Sequence, residues 1–87
     1  MLEAEEVKKT VRSFLLENLF DSASAHELTD STPLVTTGIL DSIFTLELVA
    51  FLESTFHVEY EPNEIDQDHF NTVSLIADTV LSKSNNN

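Results

Sequence analysis

The fold of this chain is decided by residues 38–56, which read GILDSIFTLELVAFLESTF. The stretch begins with a turn former, Gly38, and continues beyond the pair Asp41-Ser42 as an apolar run without Gly or Pro. An Asp-Ser pair ahead of such a run is typical of a helix start, because both side chains can accept hydrogen bonds from the first free N–H groups. We therefore predict a central helix that presents the hydroxyl of Ser42 at its N-terminal end, beside the Asp41 carboxylate.

The central helix is too densely apolar for an ordinary surface helix. At about 100° per residue, its polar residues Glu47 and Ser54 share one side, which should face water. An exposed apolar strip beside carboxylates is typical of a contact with a partner. The predicted partner surface consists of Ile43, Leu46, Glu47, Ala50 and Glu53. The alternative is that the preceding loop simply covers the apolar members of this strip.

Amphipathic helices are also predicted on both sides of the central one. Residues 3–17 and 73–81 carry apolar side chains at helical spacing, whereas 18–40 shows no sustained period and predicts a long loop. The first helix should end near Asn18, the last should begin at 71–72, and residues 63–68 predict a single helical turn. The sequence thus predicts an all-α, four-helix bundle with three main helices, one short helix and a long first loop. The apolar positions of the outer helices are Val7, Val11, Phe14 and Leu15, then Val73, Ile76, Ala77, Val80 and Leu81.

Acidic residues dominate the charge of the chain. Sixteen Asp and Glu face four Lys and Arg, which gives a net charge of −12, and thirteen of the acidic residues lie in 13–82, where no Lys or Arg occurs. Such a surface excludes binding to a nucleic-acid backbone. It should repel other copies of the chain, which favours a monomer, and attract basic partners. The alternative is that the charge serves solubility only.

Other classes of site are not favoured by the composition. The chain has no Cys, which excludes disulfides and thiolate metal sites, and its three histidines lack a spacing that brings ligands together. No apolar run reaches membrane-spanning length. The acidic start argues against a signal peptide, so we expect a cytoplasmic protein. We expect a single domain at 1–82 and a disordered tail at 83–87.

Ser42 is a poor candidate for a hydrolytic nucleophile. Such a serine needs a general base within hydrogen-bond reach and an oxyanion site. The neighbours of Ser42 read Leu-Asp-Ser-Ile instead of a Gly-flanked elbow, and no histidine lies nearby in the sequence. We therefore expect a protein that is not an enzyme.

Residues 38–43, Gly-Ile-Leu-Asp-Ser-Ile, resemble the Gly-x-x-Asp-Ser-Leu signature of acyl carrier proteins and peptidyl carrier (thiolation) domains. Residues 46–53 resemble the second helix of that family, and 70–76 resemble the entry to its fourth helix. The segment 30–34 is similar to part of its long first loop. The resemblance covers about 1–82, and the family's fold is a four-helix bundle.

The resemblance implies that Ser42 carries a 4′-phosphopantetheine arm, attached by a phosphopantetheinyl transferase. The arm would hold an acyl or aminoacyl cargo as a thioester, and Asp41 would serve recognition by the transferase. Basic-surfaced enzymes that load and transfer the cargo would meet the acidic helix. Ile43 stands where the family has Leu, and Phe44 where fatty-acid carriers have Asp. Phe44, together with the unusual segment at 66–70, favours a stand-alone carrier of polyketide or nonribosomal-peptide synthesis over one of fatty-acid synthesis, whereas Ile43 bears on the choice among partners. The alternative is an unmodified, acidic helical interaction module.

Overall fold

The computed structural model describes residues 2–20 and 28–85. The described residues form four α-helices: α1 at Ala4–Asn18, α2 at Ser42–Phe56, α3 at Gln67–Phe70 and α4 at Val73–Asn85. The described residues contain no strand. The prediction of an all-α bundle with three main helices and one short helix is confirmed.

The core forms where α4 packs against the other three helices. Rings from α1 and α2 extend it, since Phe14 stacks on Phe51 with 4.2 Å between the ring centroids. The predicted apolar stripes of α1 and α4 supply half of the buried side chains of this core, because residues at helical spacing share one face. The side chains with no exposed surface are Val7, Val11, Leu15, Leu34, Leu48, Leu52, Phe70, Val73, Ile76, Ala77 and Val80.

α1 and α2 end by different local devices. α1 ends at Asn18, as predicted, but Leu19 stays right-handed, and the Asn18 side chain donates to the Phe14 carbonyl at 2.7 Å. In α2 the chain turns left-handed at His57, with φ of 58°, and the His57 N–H donates to the Glu53 carbonyl at 3.0 Å. A left-handed residue stops a helix because the next N–H no longer points along the axis.

The prediction of one helical turn at 63–68 is wrong in its bounds. The chain forms a 3₁₀ turn at Pro62–Glu64 and then the separate helix α3 at Gln67–Phe70. Asp66 separates the two, because its extended backbone interrupts the first turn and its side chain caps the second. The Asp66 carboxylate accepts from the His69 N–H at 3.0 Å, the usual geometry of an N-cap.

α4 reaches beyond the predicted end of the domain at residue 82. It continues to Asn85, and the Lys83 ammonium bonds both oxygens of Glu64 at 2.7 and 2.8 Å. This two-oxygen contact ties the last turn to the 3₁₀ turn and gives a reason for the longer helix. The division into a domain at 1–82 and a disordered tail at 83–87 stays a prediction, and 86–87 lie outside the described residues.

The described part of the first loop is held against the helices. The Leu34 side chain has no exposed surface. The Asp30 carboxylate pairs with Arg12 of α1, and the Asp30 carbonyl accepts from the Ser74 N–H of α4 at 3.1 Å. One residue therefore ties the loop to two helices, and the loop delivers the chain to the start of α2 in a defined position.

Tyr60, the only tyrosine in the sequence, should titrate abnormally. Burial raises the pKa of Tyr60 from 10.0 to about 12, and the carboxylates of Glu64 and Glu53 act in the same direction. The folded state thus holds the phenol proton more tightly, so its contribution to stability is complete below pH 10 and is lost as the pH approaches 12. Phenolate absorbance, followed against pH in the folded protein and in denaturant, checks this. A folded-state titration near pH 10 would contradict it.

Candidate functional site

Ser42 is the first residue of α2, and Asp41 is its N-cap. The Asp41 Oδ1 accepts from the Phe44 N–H at 2.7 Å, and the Asp41 carbonyl accepts from the Thr45 hydroxyl at 2.6 Å. Asp41 therefore starts the helix, whatever else it does. The Ser42 side chain is exposed, and it lies where the helix dipole favours negative charge. The structure places the two predicted residues together at the helix mouth.

A cleft of about 440 Å³ opens beside Ser42. Its walls come from the end of the first loop, the first turns of α2 and the segment leading into α3. Apolar side chains form most of the lining, and the polar groups gather at the Ser42 end and on α3. The lining residues are Val35, Leu40, Asp41, Ser42, Thr45, Leu46, Pro62, Ile65, Asp66, Gln67 and Phe70.

The α3 wall of this cleft is held by a hydrogen-bonded pair, Asp66 and His69. The Asp66 carboxylate contacts the His69 ring nitrogen Nδ1 at 2.5 Å as well as its backbone N–H. The side-chain hydrogen bond with His69 lowers the pKa of the Asp66 carboxyl. Because that carboxylate also caps α3, the wall depends on Asp66 staying ionised. The predicted helical turn at 63–68 gave Asp66 no capping role, although an Asp ahead of Gln-Asp-His fits an N-cap.

The outward face of α2 matches its prediction at four of five positions. Ile43 is 73% exposed and Leu46 is 60% exposed, although both are large and apolar. Glu47 and Ala50 are exposed as well. The alternative, in which the loop covers Ile43 and Leu46, is therefore not what the structure shows. Whether a partner binds this face stays a prediction.

Glu53 differs from the other members of the predicted surface. It is half-buried, and its Oε2 accepts from the Tyr60 N–H at 2.9 Å. This bond holds the segment that follows α2. Glu53 thus has a structural task, and its place in a partner surface stays a prediction.

Phe44 turns away from the outward face and toward the core. It is half-buried, and its ring lies 5.8 Å from the Phe14 ring of α1 between centroids. The residue that departs from the acidic pattern of fatty-acid carriers therefore packs between helices. An aromatic contact of this kind adds to the stability of the α1–α2 contact.

The described residues give little support to hydrolytic or metal chemistry. None of the side chains that line the cleft is a histidine, so no base of that type stands ready for Ser42. Within 2–20 and 28–85, no group of three or more His, Asp or Glu is arranged to hold a metal ion. No described helix combines the length and the apolar character needed to cross a bilayer.

The chain is similar to proteins named D-alanyl carrier protein. It shares 44% identity over 43 residues with those of Streptococcus pyogenes serotype M1, serotype M5 (strain Manfredo) and serotype M49 (strain NZ131). These 43 residues are 49% of this chain and 54% of each relative, so the chain spans about half the length of the curated relatives it matches. No family model matches the chain.

The relatives reported above are named carrier proteins. A carrier holds a cargo for other proteins to act on, which agrees with the prediction that the chain is not an enzyme. The cargo in their name, D-alanyl, is an aminoacyl group, one of the two cargo classes that the resemblance implied. The similarity to these relatives thus supports a carrier role, and it does not identify the biosynthetic pathway or the cargo.

Proposed function

We propose that this protein is a carrier that holds an acyl or aminoacyl group as a thioester on a 4′-phosphopantetheine arm attached to Ser42. The observation that carries the proposal is the exposed Ser42 hydroxyl on the first residue of α2. The similarity to carrier proteins over half of the chain supports it.

The attachment step is a phosphoryl transfer with a simple balance. The Ser42 oxygen would bond to the phosphorus next to the pantetheine of coenzyme A, and 3′,5′-adenosine diphosphate would leave with the electron pair of the broken P–O bond. The serine proton would pass to a base in the transferase. A helix N-terminus favours the resulting phosphodiester. Asp41, one residue before, opposes that charge, so we assign it to capping and to recognition by the transferase.

The arm and the protein chain have different roles in the proposed function. The arm supplies the thiol that bonds the cargo, and the chain's own residues present the arm and meet the enzymes. We propose that these enzymes are basic-surfaced proteins, because the net charge of −12 attracts positive surfaces. The carrier would act in the cytoplasm as a monomer.

For the cargo we propose an aminoacyl group in the first place. The relatives carry D-alanyl, an aminoacyl group, in their name. Loading should be measured on the arm-bearing protein with D-alanine, L-alanine and a fatty acid, each with an ATP-dependent enzyme that activates its carboxylate. Preferential thioester formation with D-alanine would support this choice, whereas exclusive loading of the fatty acid would overturn it.

The experiment that tests the carrier function is an intact mass measurement. The protein is incubated with coenzyme A and a broad-specificity phosphopantetheinyl transferase, and the carrier proposal expects the mass of one arm on each chain. The rival proposal, an unmodified interaction module, expects no mass change. An unchanged mass with a transferase that modifies a known carrier in parallel would overturn the carrier proposal.

The outward face of α2 should control how fast the transferase loads the protein. Ile43→Ala should weaken binding by about 1–2 kcal/mol at every salt concentration if the side chain enters a pocket. Glu47→Lys should slow loading mainly at low salt, because dissolved ions screen exposed charges. Initial loading rates at two ionic strengths check both expectations.

Ile43→Leu is the matched control for this face, since it restores the residue usual in the family. Loading at least equal to the wild-type rate would show that Ile43 does not exclude standard transferases. Neither Ile43→Ala nor Glu47→Lys should change stability much, because both side chains are exposed. Unchanged loading by Ile43→Ala would contradict the proposed surface.

A further inference from the structure

One side-chain oxygen at the α3–α4 junction accepts hydrogen bonds from three consecutive backbone N–H groups of the first loop. Asn71 Oδ1 accepts from the N–H of Leu34 at 3.2 Å, of Val35 at 2.9 Å and of Thr36 at 3.1 Å. The Thr36 hydroxyl lies 3.4 Å from the same oxygen. We call these three N–H groups and Asn71 Oδ1 the amide clamp. Successive N–H groups pointing at one acceptor form a concave site of positive potential.

The amide clamp is joined to the start of α2 by a short series of backbone bonds. The Gly38 N–H donates to the Val35 carbonyl at 3.1 Å, and the Leu40 N–H donates to the Leu34 carbonyl at 2.9 Å. Gly38 has φ of 80°, a conformation that costs glycine little. These bonds close a tight loop whose ends are residues 34 and 40. Asp41, the N-cap of α2, follows directly.

Apolar burial alone does not fix this loop in one position. Leu34 and Leu40 are buried at its two ends, while Thr36, Thr37 and Gly38 between them are exposed. Burial is non-directional, so it holds the ends near the core without setting the direction of the exposed segment. The amide clamp supplies that direction, because hydrogen bonds have preferred angles and lengths.

We infer that Asn71 is a positioning residue for the modification of Ser42. It acts through the loop at 34–40, which sets the position of the N-terminal end of α2 relative to the cleft. This inference rests on the proposed function, since it concerns the same serine. Val35 belongs both to the clamp and to the cleft lining, so the clamp also fixes one wall of the space beside Ser42.

The test compares three variants of the full chain. Asn71→Ala removes the accepting oxygen but keeps the backbone bond from the Leu34 N–H to the Asn71 carbonyl at 2.6 Å. Asn71→Asp keeps an accepting oxygen and adds a negative charge that the three N–H groups favour. Asn63→Ala is the matched control, an exposed asparagine in the 3₁₀ turn at Pro62–Glu64.

Two readouts are needed, and the first does not depend on the proposed function. Amide hydrogen exchange at Val35 and Thr36, measured by NMR, should become about tenfold faster in Asn71→Ala, the change expected for losing about 1.4 kcal/mol of hydrogen-bond protection. In Asn71→Asp at neutral pH, exchange should return to within about twofold of the wild-type rate. Asn63→Ala should leave both amides unchanged.

The second readout is the initial rate of arm attachment at Ser42. It should fall about tenfold in Asn71→Ala, in step with the exchange rate, and recover in Asn71→Asp. Recovery of the loading rate in Asn71→Asp would show that the accepting oxygen is needed and that the amide group itself is not. Circular dichroism checks that all the variants have the same α-helix content. Lowering the pH far enough to protonate the new carboxyl should reverse the recovery in Asn71→Asp only.

The outcomes distinguish a failure of the proposed function from a failure of the positioning role of Asn71. Wild-type protein that gains no arm overturns the proposed function, and the positioning role falls with it. Wild-type protein that is loaded, together with equal loading of Asn71→Ala, overturns this inference and leaves the proposed function intact. Faster exchange and slower loading in Asn71→Ala, both reversed in Asn71→Asp, support it.

Discussion

Ser42→Ala should lose arm attachment completely while the helices remain. The Ser42 oxygen is the proposed acceptor of the phosphoryl group, and alanine offers no atom that can form that bond. The fold should survive, because the cap of α2 is provided by Asp41 and alanine is a good helix former. The measurement is intact mass after incubation with coenzyme A and a transferase, beside a far-ultraviolet circular dichroism spectrum of each protein.

Ser54→Ala is the matched control for Ser42→Ala. Ser54 is also exposed and also lies on α2, but in its last turns. It should gain the arm at the wild-type rate. An arm on the Ser42→Ala protein would contradict the assignment of the site, and loss of the arm in Ser54→Ala alone would move the site along the helix.

Phe70→Ala should have the largest effect on stability. Phe70 is fully buried, it packs 5.6 Å from the Tyr60 ring between centroids, and it lines the cleft beside Ser42. Removing a buried Phe side chain costs about 3–5 kcal/mol. A domain of this length is stable by about 4–13 kcal/mol, so the variant should lose a large part of its stability. Urea unfolding followed by circular dichroism measures the loss.

The control for Phe70→Ala is Ile43→Ala, which removes a large apolar side chain that is 73% exposed. Its stability should stay within about 0.5 kcal/mol of the wild type. The two variants thus contrast a buried and an exposed residue of similar chemistry. A loss below about 1 kcal/mol for Phe70→Ala would contradict the packing of α3 against the core.

The helices and the inward sides of α1 and α4 could be read directly from the sequence. Val7, Val11 and Leu15 repeat with the period of a helix, and that period alone places them on one face. The position of Ser42 was also local information, because an Asp-Ser pair before an apolar run starts a helix wherever the rest of the chain lies. Local hydrogen-bonding and side-chain periodicity need no knowledge of the fold.

The bounds predicted for the short helix were wrong, and the predicted end of α4 came too early. Pro62 and Asn63 signalled a helix start, yet α3 begins only after Asp66, which caps it. The extension of α4 depends on Lys83 meeting Glu64, two residues far apart in the chain. Short turns are weakly determined by their own residues, because few hydrogen bonds offset the cost of ordering them.

The sequence by itself determined the helical bundle, the serine at the mouth of its central helix and the acidity of its surface. The tertiary structure decided between exposure and coverage by the loop for Ile43 and Leu46. It alone decided that α3 and the first loop form a cleft beside Ser42 and that Asn71 holds three amides of that loop. The reason is physical. Periodicity and caps are short-range properties, whereas exposure, clefts and clamps depend on which distant segments the buried core brings together.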